Sequence, residues 1–352
     1  MKDNGSVRHK NIPIFIPHLG CPHDCVFCNQ KKISGHSSFD TSRVRAEIEE
    51  ALSTVSAGEQ AEIAFFGGSF TGIDRQLMIT LLNIAEEYVR GGRVIGIRMS
   101  TRPDYIDTEI LDILRGYTVS AIELGLQSFD DEVLRASERG HTSADSVRAC
   151  RLIKEYGFEL VGQMMIGLPG ASAESELETA RMIVSLGCSA ARVYPTVVFR
   201  STKLCRMAEK GEYTVLSDEE AVRRTSDVLE ILIKENITLL RVGLCSNEDI
   251  RDPDEVYGGA VHPAIGELCI GELYYKLIRE QLISLCENSR DRIPSVEVYV
   301  SHGSTGKAVG HKKINKERFY NEFCKSGRIG KIKILESAHL RNFETEIKIS
   351  YK

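Results

Sequence analysis

Three thiols carry the sharpest chemistry in this chain. Cys21, Cys25 and Cys28 stand in the run Cys-Pro-His-Asp-Cys-Val-Phe-Cys, spaced C-x3-C-x2-C, directly after an apolar stretch at 12–17 that reads as a strand. Three thiolates in one loop make a soft-ligand metal site. A structural zinc needs a fourth donor, which His18 or His23 could supply, whereas a cubane held by three cysteines leaves one iron open to bind and react. The spacing favours iron–sulfur, because zinc fingers pair two ligand halves and no second half is visible.

One β/α unit further on, Phe65-Phe66-Gly67-Gly68-Ser69 runs an apolar stretch into paired glycines. Glycine lets backbone approach a ligand closely. Alone the pair reads as a turn; after the cysteine loop it reads as part of a site.

Composition narrows the classes. The 352 residues, 42% hydrophobic and 27% charged, describe a globular chain and exclude disordered and fibrous ones. The apolar runs fall short of the roughly 20 residues that cross a bilayer, and the first ten residues lack the apolar core of a signal peptide. We therefore expect a cytoplasmic protein with reduced thiols, where clustered cysteines are metal-binding or catalytic. Of ten cysteines, the other seven (Cys150, Cys188, Cys205, Cys245, Cys269, Cys286 and Cys324) are scattered singly, as buried thiols are. Net charge is −5, yet residues 303–352 hold 12 Lys/Arg against 5 Asp/Glu, a local +7 that suggests an anionic partner such as nucleic acid.

The elements that must position these residues alternate. Apolar, β-branched runs at 12–17, 62–68, 94–101, 121–127, 160–169 and 191–198 read as strands. Helical periodicity at 43–52, 75–90, 108–115, 144–156 and 173–186 separates them. Near-continuous apolar strands indicate a parallel sheet covered by helices, here an α/β fold closing as a partial (β/α)6 barrel. Reactive groups then gather at the carboxyl ends of the strands: Cys21 after the first, Gly67-Gly68 after the second, Thr101-Arg102-Pro103-Asp104 after the third, Gln127 after the fourth and Gly167-Leu168-Pro169 after the fifth. Beyond about 211 a helix at 217–236 opens on the capping box Ser217-Asp-Glu-Glu220, and a strand follows at 237–244. Strand (295–300), helix (315–324), strand (331–336) and strand (344–350) then make a small basic α+β unit. The expected division is a short segment 1–11, a barrel with its extension at 12–290, and a C-terminal unit at 291–352.

With these motifs assembled, the chain resembles the radical S-adenosylmethionine superfamily. Thr101-Arg-Pro-Asp-Tyr105, Ile122-Glu-Leu-Gly-Leu-Gln-Ser128, Arg139-Gly-His-Thr142, Gly162-Gln-Met-Met-Ile-Gly-Leu-Pro169, Arg192-Val-Tyr-Pro-Thr196 and His262-Pro-Ala-Ile-Gly-Glu267 are similar, in order, to motifs of the Elongator catalytic subunit family, which modifies the tRNA wobble uridine. The likeness runs from about 12 to 275. Val309-Gly-His-Lys-Lys-Ile-Asn315 looks like an extension found in related bacterial radical proteins. The acetyltransferase half of the Elongator subunit has no counterpart after 290, and its basic N-terminal region is reduced to Lys2, Arg8, His9 and Lys10, so carboxymethylation is not carried over.

The resemblance implies that Cys21, Cys25 and Cys28 hold a [4Fe-4S] cluster whose fourth iron binds S-adenosylmethionine, and that one electron cleaves the sulfonium to a 5'-deoxyadenosyl radical. It implies that Gly67 and Gly68 meet the methionine amino group and that Gln127 and Gln163 approach ribose and adenine. Ser100 stands where many relatives have a ribose-binding acid. Other residues keep two readings: Glu123 faces the cofactor or pairs with Arg98 or Arg192; Arg102 grips a carboxylate or fixes its own loop; Tyr194 points into the cavity or caps the core. His262 and Glu267 match a motif without a physical role.

The implied function is a radical enzyme acting on RNA, a tRNA base above all, with the basic tail facing RNA and a flavodoxin or ferredoxin as electron donor. A small-molecule reaction like that of the oxygen-independent coproporphyrinogen oxidases is the alternative, and a non-catalytic zinc or RNA-binding scaffold a further one. Methylthiotransferase chemistry is disfavoured by the lack of a second cysteine triplet.

Overall fold

Apolar residues at alternate strand positions set the first layer of the molecule. The computed structural model describes residues 9–16, 21, 25–28, 39–244 and 254–351. The strands are β1 (His9–Ile16), β2 (Gln60–Gly67), β3 (Gly96–Thr101), β4 (Val119–Gln127), β5 (Glu159–Ile166), β6 (Ala190–Pro195), β7 (Val197–Phe199) and β8 (Thr238–Val242). All but β7 form one sheet in the order β1-β2-β3-β4-β5-β6-β8, each neighbouring pair parallel. Sequential order with right-handed crossovers places the connecting helices on one face and curls the sheet into a half-barrel. Ile63, Phe65, Ile97, Met99, Ile122, Leu124, Leu160 and Met164 are buried beneath those helices. The alternate set, including Glu62, Arg98, Glu123, Gln163 and Arg192, lines the concave face.

The helices start where short polar side chains cap them. Asp74, Asp107, Asp130, Thr142, Ser172 and Ser217 accept first-turn N–H groups of α2 (Arg75–Arg90), α3 (Thr108–Leu114), α4 (Asp131–Ala136), α5 (Ser143–Glu155), α6 (Ala173–Ser185) and α8 (Asp218–Lys234). The remaining helices of this part are α1 (Val44–Ser53) and α7 (Lys203–Glu209). At Ser217 half of the expected capping box is made: the Glu220 N–H donates to Ser217 Oγ, while the Glu220 carboxylate accepts from Arg223.

Three sequence expectations change. The barrel has seven strands, because β8 pairs with β6; β8 is a short edge strand, half open to solvent, and lacks the apolar run of its neighbours. The strand expected at 191–198 breaks at Pro195, after which β7 pairs antiparallel with β9 (Val256–Gly259). The long helix α9 (Ile265–Glu287) follows, unannounced by periodicity. It packs on α8 and β8 and on the C-terminal unit, so its apolar residues are spread over several faces.

In that unit β11 (Ile332–Ser337) and β12 (Thr345–Ser350) flank β10 (Ser295–Ser301), parallel and antiparallel respectively. Val296, Val298 and Val300 join the same continuous apolar core as the barrel. The helix expected at 315–324 is present as α11 (Ile314–Phe319) continued by a wider turn at Tyr320–Cys324; α10 (Thr305–Val309) and a turn at His311–Lys313 precede it. Left-handed φ at Gly310, Lys312 and Lys313 separates α10 from α11.

Candidate active site

The cysteine loop is pinned at the carboxyl ends of the strands. Cys25 is buried and its Sγ accepts from Arg139 Nη1 at 3.4 Å, while Cys21 Sγ lies 3.6 Å from Ser69 Oγ. Between Cys25 and Cys28, Val26 donates its N–H to Ser137 and accepts from Leu204, and its side chain packs with Val198, Leu204 and Cys205. None of the described cysteines is in a disulfide. Among the described residues no three His, Cys, Asp or Glu side chains are gathered as a metal group, and His18, His23 and Cys245 lie outside those residues.

Gly67 and Gly68 end β2 beside the last residue of β1. Gly67 has φ +104°, and a Cβ there would stand 2.9 Å from the Ile16 carbonyl oxygen. Gly68 donates its N–H to that same oxygen at 2.7 Å, so what it can offer an external amine is its carbonyl. Thr71 Oγ1 then bonds Thr101 Oγ1 at 2.6 Å and the Tyr105 carbonyl at 2.8 Å, tying the ends of β2 and β3 together.

Around the loop, buried polar groups stand without partners. Gln127 adopts φ +65°, a conformation costly for a side chain of its kind, and its Oε1 is buried and unbonded. Arg139 reaches Cys25 and the Gly125 carbonyl (2.8 Å), leaving Nε unpaired. Both ring nitrogens of His141 are buried without a partner; burial first, then the nearby Arg139, pushes the imidazole down to about 3, so it is neutral at physiological pH. Arg102 grips Asp104 by a fork at 2.9 and 2.8 Å, which makes it the fastener of its own loop, with Nη1 unpaired. Of nine such orphaned atoms among the described residues, six belong to Arg102, Gln127, Ser137, Arg139 and His141. Buried polar atoms are almost always satisfied, so this concentration marks where a polar ligand belongs.

The concave floor is the opposite case. His9 and Arg98 both bond Glu62 (2.7 and 2.8 Å), Arg98 reaches Glu123 (3.2 Å), and Arg192 bonds both oxygens of Glu123 at 2.7 and 3.1 Å. Gln163 Nε2 adds a donor to Glu123 at 2.9 Å. Glu123 therefore pairs with both arginines, and Gln163 leans on that pair. Ser100 sits half-buried in register with Glu123. Tyr194, half-buried on the strand of Arg192, has its phenol pKa raised by burial. His262 Nδ1 accepts from the Ala264 N–H at the start of α9, a capping role the sequence did not disclose, and Glu267 lies in that helix's first turn. Arg139 and His141 are visible in the sequence only as residues of the Arg139-Gly-His-Thr142 motif, in a run of polar neighbours that gives no sign of their burial.

Residues 15–183 match the radical SAM superfamily and residues 188–275 the radical SAM C-terminal domain. An uncharacterized protein of Methanocaldococcus jannaschii is 31% identical over 233 residues, 63% of this chain and 71% of that protein. A tRNA uridine(34) acetyltransferase of Methanocaldococcus infernus is 29% identical over 145 residues, 40% of this chain. The chain thus spans about a quarter (27%) of that relative's length. In structure, the archaeal Methanocaldococcus infernus Elp3 with an N-terminal deletion shares the fold, with TM-score 0.61 and 20% identity over 78% of this chain and 63% of that one. Among the described residues no helix is long and apolar enough to cross a membrane.

Proposed function

We propose an RNA-modifying role, directed at a tRNA base, for this chain, which belongs to the radical SAM superfamily and is an enzyme of the kind that uses a [4Fe-4S] cluster and S-adenosylmethionine. In this reading Cys21, Cys25 and Cys28 hold the cluster. The donor set fits: three thiols lie in one loop, one beside a guanidinium, amid six orphaned buried polar atoms. When bound, the cluster and S-adenosylmethionine supply one electron and a carbon-centred radical that abstracts hydrogen.

The chain's own groups do the positioning. The Arg139 guanidinium donates to Cys25 Sγ, which holds that side of the cysteine loop, and leaves Nε as a spare donor. The Gly68 carbonyl is an acceptor for an ammonium, and Gln127 Oε1 an acceptor for a hydroxyl or exocyclic amine. Gln163 and Ser100 border the same concave face and would meet a ribose from the floor side. The radical chemistry belongs to 12–290, and the basic unit at 291–352 faces RNA. Electrons come from a flavodoxin or ferredoxin.

The concentration of unsatisfied polar atoms around the cysteine loop carries the enzymatic reading; the name of the tRNA-modifying relative and the basic tail support the substrate. The test is anaerobic: iron and sulfide content, then 5'-deoxyadenosine released with dithionite and S-adenosylmethionine, then its stimulation by bulk tRNA. A cluster-dependent burst that tRNA increases is expected. Release indifferent to tRNA argues against an RNA substrate, and tight zinc without iron argues against the radical enzyme.

A further inference from the structure

The twelve cations of residues 303–352 are not equivalent. Arg318 pairs with Glu272, Lys333 with Glu297, Arg341 with Glu344 and Lys348 with Glu346, while Arg328 donates to the Cys286 carbonyl. On the open face of the C-terminal sheet, Glu297 and Glu346 therefore neutralise Lys333 and Lys348, and Tyr299 donates to Glu297. That face offers little to a polyanion. Residues 303–316 differ: they contain Lys307, Lys312, Lys313 and Lys316 and no acid, all four are exposed, and none is in an ion pair with a described residue.

Two further features belong to this segment. Its backbone is fixed: buried Asn315 donates to the Gly271 and Ala308 carbonyls at 2.8 and 3.2 Å, and Lys312 and Lys313 are held at φ +51° and +67°. Holding two lysines in left-handed conformation costs energy that the folded surroundings supply. Beside them stands exposed apolar surface, Tyr320 at 60% and Ile314 at 51%. Lys316 and Tyr320, four apart, are neighbours on the exposed surface of this helical segment, and Lys313 stands just before its first turn.

The segment also stands at the barrel's reactive rim. The His311 ring meets the His262 ring edge-on at 5.5 Å, and His262 donates its N–H to Asp218 at the start of α8. The first turn of α9 closes on the carboxyl end of β8, where a Cβ on Gly266 would lie 2.6 Å from the Val242 carbonyl oxygen. Leu216, just before α8, packs on Gly167 at the end of β5.

We propose that Lys307, Lys312, Lys313, Lys316 and Tyr320 form the docking strip for the substrate RNA, the lysines on successive phosphates and the Tyr320 ring under an unstacked base, and that the C-terminal sheet takes no part. The inference rests on the RNA reading above. Phosphate contacts give affinity and salt dependence, and an exposed tyrosine adds stacking that tolerates any base.

The experiment measures binding of bulk tRNA by the full, cluster-loaded chain across a salt series. The variant K312Q/K313Q/K316Q is expected to lose about tenfold or more in affinity near ~0.1 M salt. Its log–log salt slope should flatten by roughly two units, since each neutralised phosphate contributes about 0.7–0.9 to that slope. Y320A should weaken binding about fivefold or more with the slope unchanged. The sheet variant K333Q/K348Q should bind as the parent does, and the unfolding midpoint in urea should be unaltered in all three, which reports intact folding. If the parent binds tRNA with a steep salt dependence that K312Q/K313Q/K316Q retains, the strip is overturned while the RNA reading stands. If the parent itself shows no salt-dependent binding, the RNA reading falls and takes the strip with it.

Discussion

The floor and the rim of the half-barrel are built from the same strands yet treat polar groups in opposite ways. On the floor Glu62, Arg98, Glu123, Gln163 and Arg192 bond one another across five strands, two carboxylates against two guanidinium groups. At the rim Arg102, Gln127, Arg139 and His141 keep buried atoms without partners. A satisfied network holds a sheet together, whereas an unsatisfied one is complete only with something bound. The contrast separates residues that keep the barrel from residues that use it, although both sets are charged, buried and few positions apart.

The contrast can be broken by mutation, most forcefully at the cysteine loop. Cys25→Ala should reduce 5'-deoxyadenosine release to background and lower iron content while leaving the unfolding midpoint in urea nearly unchanged. Substantial release by this variant would remove the thiol from the site.

Next in size is the floor. Glu123→Gln leaves Arg192 buried without its carboxylate and Arg98 with Glu62 alone, and should cost about 3–5 kcal/mol in urea unfolding. A loss below about 1 kcal/mol would show that the network is not structural.

His141 gives a pH signature. Its folded pKa of about 3 lies below the unfolded 6.5, so the unfolded chain takes up a proton that the native one refuses. Its contribution to stability is present above about 6.5 and falls progressively as pH drops toward 3. Urea unfolding of the parent and His141→Gln at pH 7 and pH 5 should show the variant gaining relative to the parent at the lower pH; a constant difference would mean that the imidazole charges freely.

The smallest stability effect belongs to Gln127→Gly. Glycine relieves φ +65° and removes an orphaned acceptor, so the fold should be unchanged or firmer by up to about 1 kcal/mol. The KM for S-adenosylmethionine should nevertheless rise about tenfold. A less stable variant with an unaltered KM would move Gln127 from the rim set to the floor set.

Much of this architecture is written locally. Apolar alternation announces β2 to β6, short polar caps set the helix starts, and the C-x3-C-x2-C spacing names its chemistry before any coordinate is known. What depends on the surroundings is not legible locally: a strand is read at 237–244 but not its recruitment by β6 as the barrel's exposed edge, and α9 is apolar on several sides because it serves both the barrel and the C-terminal sheet. Their pattern depends on neighbours distant in sequence.

The sequence by itself determined the order of strands, the end of the barrel at which reactive residues collect, and the three thiols. Tertiary structure alone decided which charges are spoken for. Glu123 with Arg98 and Arg192, Arg102 with Asp104, and Lys333 with Glu297 are pairs made across strands or within loops, while Lys312 and Lys313 are left without one among the described residues. The reason is physical: backbone preference and hydrophobic period act over a few residues, but whether a buried or exposed charge finds its partner is a matter of distance in space, fixed only when the sheet has curled and the C-terminal unit has closed on α9.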